Sequence, residues 1–294
     1  MTSQPTLPER LTAYLREPQT LQACYGALPD APRESVRRAI YENLGRAFRK
    51  VARGVYLATN GATQALILEG DAWERIPDIA DASIDFIVTD APYTPSAVWA
   101  AIGTTRKKTG KLSYALRDMD AAFYAELWRV LKPSAHCYLF FAADAAETVD
   151  YNEAQRQLAQ AAGFRFNKRA IWDKVCIGMG YNGRNRYEQI LFLSKGKRHM
   201  PYDLSVPDVL SHKRPNPSTR RHEAEKPVEL LRDLLRMCAK PGDVGLDPFT
   251  GSHNFIEACQ THGCHSITIE LDTAHVAAAV ARFGAVALTN EVPP

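Results

Sequence analysis

A chain of 294 residues with a net charge of +3 can bury a full core and hold one large domain plus a small one. So mild a charge excludes whole-molecule attraction to nucleic acid and leaves any such binding to local basic patches. No stretch approaches the ~20 apolar residues of a membrane span, and Met1 to Thr6 lacks a signal peptide's charged and apolar regions, so a cytoplasmic protein without a membrane partner is expected.

Residues 1–58 read as a separate unit, with amphipathic patterns at Glu9–Arg16, Thr20–Leu28 and Pro32–Arg46, then a short β-like pair. Pro32 suits a first helical turn because its φ is already fixed. Three short helices and a hairpin predict a winged helix-turn-helix-like unit, the hairpin running from Arg49 to Tyr56 around Gly54. It resembles winged-helix units whose wing ends in an Arg-Gly-Val-Tyr-like sequence. Arg37 and Arg38 are its candidate DNA contacts, set against the alternative of a solvated basic face.

Residues 59–294 form the second expected domain. Ala65 to Asp71 reads as a strand ending in a carboxylate, and Asp71 equally suits a helix N-cap. A helix or turn at residues 72–83 leads into Ile84–Val88, a β-branched run typical of a buried parallel strand. Asp90, Ala91, Pro92 and Tyr93 follow it, where open α/β sheets place their ligand crevice. The polar run after them carries Arg106, Lys107 and Lys108, suited to phosphates or to plain solvation.

A helix at Ala121–Leu131, stopped by Lys132-Pro133, precedes a strand at His136–Ala142. A helix at Glu153–Ala162 follows, then apolar stretches at Phe166–Trp172 and Tyr187–Leu193, with Arg184 and Arg186 in the glycine-rich loop between them. Residues 195–221 are polar and proline-punctuated, which predicts a loop-rich insertion; Lys213 and Arg214 suit backbone positioning on a nucleic acid. His222, Lys226 and Pro227 lead into a periodic helix through Met237, with Pro227 expected in its first turn.

The next strand, Val244–Asp247, runs through Pro248, Phe249, Gly251 and Ser252 into a helix at Asn254–Thr261. A glycine at such a turn admits close backbone approach by a ligand, and the helix N-terminus offers unpaired N–H groups. Ser266–Glu270 is a strand ending in an acid about twenty residues on, the spacing at which a carboxylate accepts ribose hydroxyls. A helix at Thr273–Phe283 and a frayed tail close the chain. Six cysteines without a C-x-x-C pair predict free thiols, and Cys259, His262, Cys264 and His265 fit no common zinc spacing, so no metal is expected.

Asp90-Ala91-Pro92-Tyr93 resembles the Asp-Pro-Pro-Tyr motif of the DNA amino-methyltransferases, with Ala91 for the first proline. Gly70-Asp71, Glu126 to Pro133 and the His222…Lys226-Pro227 element are similar to further pieces of that family. Asp247 to Ser252 is similar to its Asp-Pro-Phe-x-Gly-Ser-Gly-Thr loop, with His253 and Asn254 where the second glycine and the threonine are expected. The catalytic strand precedes the cofactor loop, an order that resembles the circularly permuted β-class. The resemblance implies a Rossmann-like α/β fold with a mostly parallel seven-stranded sheet. It implies S-adenosylmethionine held by Asp71, His222, Lys226, Pro227, the residues of the 247–252 loop and Glu270, with His253 narrowing the amino-acid pocket. Asp90, Ala91, Pro92 and Tyr93 would act on a flipped adenine of duplex DNA, residues 195–221 would be the variable target-recognition segment, and Trp128 and Arg129 would be scaffold. N4-cytosine methylation, a DNA-binding regulator that has lost catalysis, and a homodimer stay open.

Overall fold

The computed structural model describes residues 5–15, 18–42, 48–52, 54–58, 63–92, 117–144, 148–178, 183–197, 199–216, 218 and 225–289. The N-terminal unit holds helices α1 (Leu7–Tyr14), α2 (Leu21–Ala27) and α3 (Arg33–Glu42). In α3 the buried residues are Val36, Ala39 and Ile40, the i, i+3, i+4 spacing of one apolar stripe. Its strands β1 (Gln19–Thr20), β2 (Phe48–Ala52) and β3 (Val55–Ala58) pair antiparallel in the order β1-β3-β2. Leu11, Leu15, Val36, Ile40, Phe48 and Tyr56 pack between the two layers. The third helix is described from Arg33 to Glu42, and Arg46 lies outside the described residues.

The larger domain runs β4 (Ala65–Glu69), α4 (Ala72–Arg75) with a 3-10 turn at Ile76–Asp78, β5 (Ile84–Thr89), α5 (Ala121–Val130), β6 (Leu131–Ala142) and α6 (Val149–Ala161). It continues with β7 (Phe164–Asp173), β8 (Tyr187–Lys195), β9 (Val209–Ser211), α7 (Val228–Cys238), β10 (Val244–Asp247), α8 (Asn254–His262), β11 (His265–Glu270), α9 (Thr273–Phe283) and β12 (Val286–Leu288). The sheet order is β12-β4-β11-β10-β5-β6-β8-β7-β9. Pairing is parallel from β12 to β6 and between β7 and β9, while β8 runs antiparallel to both β6 and β7. Helices cover both faces, with Phe123, Leu127 and Ala159 of α5 and α6 in one core layer and Leu230, Leu234, Phe255 and Cys259 of α7 and α8 in the other.

Several expectations need correction. Among the described residues the sheet has nine strands rather than seven, because two three-residue edge strands join it. One of them, β12, lies in the expected frayed tail: Val286 to Leu288 pair in parallel with Leu66 to Leu68, which gives this short apolar run a ladder and a core to cover. The other, β9, lies in the expected insertion and pairs with Ile171 to Asp173. Lys132-Pro133 stops α5, but β6 starts at once, and a bulge separates Leu131 from His136 opposite Ile84 and Phe86. Pro227 is the N-cap of α7 rather than a member of its first turn.

The N-terminal unit is seated on the amino ends of the parallel strands. Arg49 of the expected wing turns inward to Asp85 at 2.5 Å, and the same carboxylate accepts from Lys132 at 2.5 Å and from the Val244 backbone at 2.9 Å. Leu15 O accepts from Ala58 N at 3.0 Å and from Gln64 Nε2 at 2.9 Å. All six cysteines are free thiols. Cys264 donates to Lys240 O and His265 Nδ1 accepts from Gln64 N, so members of the Cys/His cluster serve separate structural contacts. Among the described residues no helix is long and apolar enough to cross a membrane.

Candidate active site

Strands β5 and β10 are parallel neighbours, with Phe86 opposite Gly245 and Ile87 opposite Leu246. That register brings their carboxyl ends together, so Asp90 and Asp247 flank one open cleft, about 470 Å³ with the solvent at its mouth included. Its walls are Val88, Thr89, Asp90, Phe140, Glu225, Lys226, Leu231, Asp247, Phe249, Thr250, Gly251, Ser252, Asn254 and Phe255. The approach of the two strands depends on Gly245, where a Cβ would lie 2.4 Å from the Phe86 ring and 2.8 Å from the Phe255 ring.

Asp247 is the cleft's buried acid. Thr89 Oγ1 donates to its Oδ1 at 2.6 Å and Phe249 N at 3.1 Å. Both bonds fall on Oδ1, which leaves Oδ2 to the cleft. Burial pushes this carboxyl from its ordinary 3.8 up to about 7, against those two hydrogen bonds and with Asp90 and Glu270 adding repulsion. Near neutral pH it therefore takes up or releases a proton readily.

Asp90 projects from the end of β5 and pairs with Lys226. The ammonium also lies 3.2 Å from Glu188 of β8, 5.0 Å from the centre of the Phe140 ring and 5.7 Å from that of Trp172. Burial acts to neutralise Lys226, but Asp90 and Glu188 outweigh it and hold its pKa above the ordinary value. Glu188 is held in turn by Lys174 at 2.8 Å. Burial would raise its pKa, but the two lysines lower it. Lys226, expected at the cofactor's methionine end, is thus placed against Asp90, the expected catalytic acid.

The turn after β10 keeps the glycine-like geometry of the motif it resembles. His253 sits at φ 60°, ψ 17°, a left-handed conformation that glycine adopts freely and other residues rarely do. Its ring is buried beside Thr250 Oγ1 at 3.4 Å and is not among the described residues that wall the cleft. Asn254 does line it, and its Nδ2 donates to Glu225 Oε1 at 2.8 Å and to Lys226 O at 2.9 Å. These bonds fasten the segment before α7 to the start of α8. Asn254 Oδ1 is buried with no hydrogen-bond partner among the described residues.

The other expected residues are placed as follows. Ala91 is buried and Pro92 half-buried beside Asp90, and Pro248 is buried under the loop. Asp71 caps α4, accepting from Trp73 N at 2.8 Å. Glu270 ends β11 and accepts from Asp272 N at 2.9 Å, and burial raises its pKa; neither acid is among the described residues that wall the cleft, although Glu270 is close enough to Asp247 to add repulsion there. Arg186 is ion-paired with Asp173 at 2.6 Å, tying the ends of β7 and β8, while Arg37, Arg38, Arg184, Lys213 and Arg214 are exposed. Tyr93, Arg106, Lys107, Lys108 and His222 lie outside the described residues. Trp128 and Arg129 act as scaffold: the indole packs on Gly163, and the guanidinium donates to Ile79 O at 2.8 Å and Ile76 O at 3.0 Å.

The sequence pattern marks no role for Glu188, Lys174 or Glu225, and marks Asn254 only as a departure from the loop motif. Glu188 still carries a readable signal, as an acid near the start of a mostly apolar strand where burial requires a partner.

Residues 84–281 match the family model N6_N4_Mtase, described as DNA methylase. The chain is 29% identical over 197 residues to the Type II methyltransferase M.HhaII of Haemophilus parahaemolyticus, covering 65% of this chain and 82% of that one. Its fold is similar to the M1.HpyAVI–SAM complex (TM-score 0.53, 21% identity, 74% of this chain and 100% of that one). It is also similar to the cytosine-N4-specific PvuII DNA methyltransferase (TM-score 0.57, 17% identity, 83% of this chain and 92% of that one).

Proposed function

The chain belongs to the N6_N4_Mtase family of DNA methylases, and we propose that it transfers a methyl group from S-adenosylmethionine to the N6 amino group of an adenine flipped out of duplex DNA. The observation that carries this reading is the pairing of Asp90 and Asp247 across one cleft at the carboxyl ends of adjacent strands. The order of Asp90 before the cofactor loop fits the β-class. Asp rather than Ser at the head of the motif favours adenine over cytosine.

The donor set fits the cofactor. Asp247 Oδ2 and Glu270 are acceptors for hydroxyl or ammonium groups, the orphaned Asn254 Oδ1 is a further buried acceptor, and Phe249 offers an aromatic face. Asp71, His222 and Pro227 complete the proposed set. When bound, S-adenosylmethionine supplies an electrophilic methyl group on a sulfonium.

An exocyclic amine is a weak nucleophile because its lone pair is delocalised into the ring. The Asp90 carboxylate and the Ala91 carbonyl each accept one N–H, which turns the lone pair out of the ring and stabilises charge growing on nitrogen. Holding the amine there supplies the proximity contribution, and Pro92 and Tyr93 shape the base's seat. Lys213, Arg214, Arg184 and Arg186, with Arg106, Lys107 and Lys108, are proposed phosphate contacts, residues 195–221 the recognition segment, and Arg37 and Arg38 a contact on a winged-helix-like unit. That unit sits at the opposite edge of the sheet from the cleft, so it would meet DNA away from the flipped base.

Digesting methylated duplex DNA to nucleosides tests the reading: N6-methyladenine supports it, and N4-methylcytosine would reassign the base.

A further inference from the structure

Four charges running from behind the cleft to its wall alternate in sign: Lys174, Glu188, Lys226, Asp90. They come from the ends of β7 and β8, the segment before α7, and the end of β5, with the Phe140 and Trp172 rings alongside. Lys226 is about nine-tenths buried. A charge at such depth is strongly disfavoured once it loses its partner, and the proposed mechanism requires Asp90 to turn toward the base. Glu188 stands 3.2 Å from the same ammonium.

We propose that Glu188, anchored by Lys174, is a positioning residue for methyl transfer: it shares the Lys226 ammonium with Asp90, so that Asp90 can take up the amino group of the incoming base while the buried cation stays paired. This rests on the methyltransferase reading above. The carboxylate has lone pairs enough for both lysines, so the exchange at Asp90 moves no proton and breaks no covalent bond. Among the described residues, the further titratable groups near Lys226 include Glu225 beside it, bound to Asn254, and Asp247 across the cleft.

Two substitutions should move opposite limbs of the pH profile of kcat. In Glu188→Gln, Lys226 loses one of the two carboxylates that keep it charged, so burial prevails. The alkaline limb then falls by about one to two pH units and kcat drops roughly 10²-fold, the loss expected from a misplaced catalytic group, while cofactor affinity stays within about threefold. In Lys174→Gln, Glu188 loses one of the two cations that keep it ionised, and the acid limb rises by about one unit; Lys174→Arg restores it. A profile superimposable on the wild type in both variants overturns the inference. Should Glu188→Gln fail to fold, as judged by melting and cofactor titration, Lys174→Gln decides alone, its acid limb either rising or not. A wild type that transfers no methyl group to DNA would instead overturn the methyltransferase reading itself.

Discussion

Replacing Asp247 by Asn separates what this acid does for the fold from what it does for the ligand. In the free protein burial raises the carboxyl from 3.8 to about 7, so the folded state binds a proton more tightly than the unfolded chain does. The contribution to stability is therefore fully present below pH 3.8 and is lost as the pH rises through 7. At about 1.36 kcal/mol per pH unit, the upper limit of that loss is on the order of 4 kcal/mol. Asn has nearly the same shape and can still accept from Thr89 and Phe249, so the variant should escape the loss. Above pH 7 it should melt several degrees higher than the wild type, at roughly 2–4 °C per kcal/mol, and the difference should shrink to nothing near pH 4. Taking the difference between the two proteins cancels the acid-side contributions of carboxylates such as Asp173 and Asp203, which arginine pairs and hydrogen bonds hold near 2. The same variant should bind S-adenosylmethionine about 10- to 100-fold more weakly, the range for one hydrogen bond to a charged group. Melting curves from pH 4 to 9 with cofactor titration read both effects. A difference in melting that does not change with pH, or wild-type cofactor affinity, would refute the reasoning.

Gly245→Ala forces a methyl group against the buried Phe86 and Phe255 rings and should destabilise by about 1–3 kcal/mol, seen as a lower urea midpoint. Asp85→Ala leaves Arg49, Lys132 and the Val244 N–H without their shared acceptor; it should lose about 1–3 kcal/mol with cofactor affinity unchanged, because it lies at the other end of β5. Weaker cofactor binding in that variant would contradict the separation of the two sheet edges. Changing Lys213 and Arg214 to Ala should weaken DNA binding about equally across sequences and flatten its salt dependence by about two phosphates' worth of slope; an unaltered slope would remove them from the interface.

The parts legible in the sequence share one property: their chemistry follows their strand directly. Ile84 to Thr89 announces a buried strand by its β-branched run, and the acids after β5, β10 and β11 fall at carboxyl ends once the sheet is parallel. Local rules also placed α9, the two apolar stretches that become β7 and β8, and the glycine between β2 and β3. What escaped was set by long-range pairing. Lys226 meets Asp90 across 136 positions, and no spacing in one sequence encodes that. Arg49, read as part of a wing, turns to Asp85 because a partly buried carboxylate at the start of β5 needs a counter-charge. Val209 to Ser211 and Val286 to Leu288 are too short to carry a period and become strands only because open edges lie beside them. His253 breaks a glycine pattern, yet its backbone keeps the left-handed turn that the pattern encodes.

The central claim is that Asp90 and its neighbouring carbonyl present an amino nitrogen of DNA to a methyl donor held beside Asp247. It is tested most directly by measuring transfer of labelled methyl from S-adenosylmethionine into duplex DNA, with wild type and Asp90→Ala side by side and cofactor affinity measured on both. The account predicts label on an exocyclic amino nitrogen with the wild type, and transfer reduced to background in Asp90→Ala while the cofactor still binds. Transfer at the wild-type rate by Asp90→Ala, or no label in DNA from a wild type that binds cofactor, would contradict it.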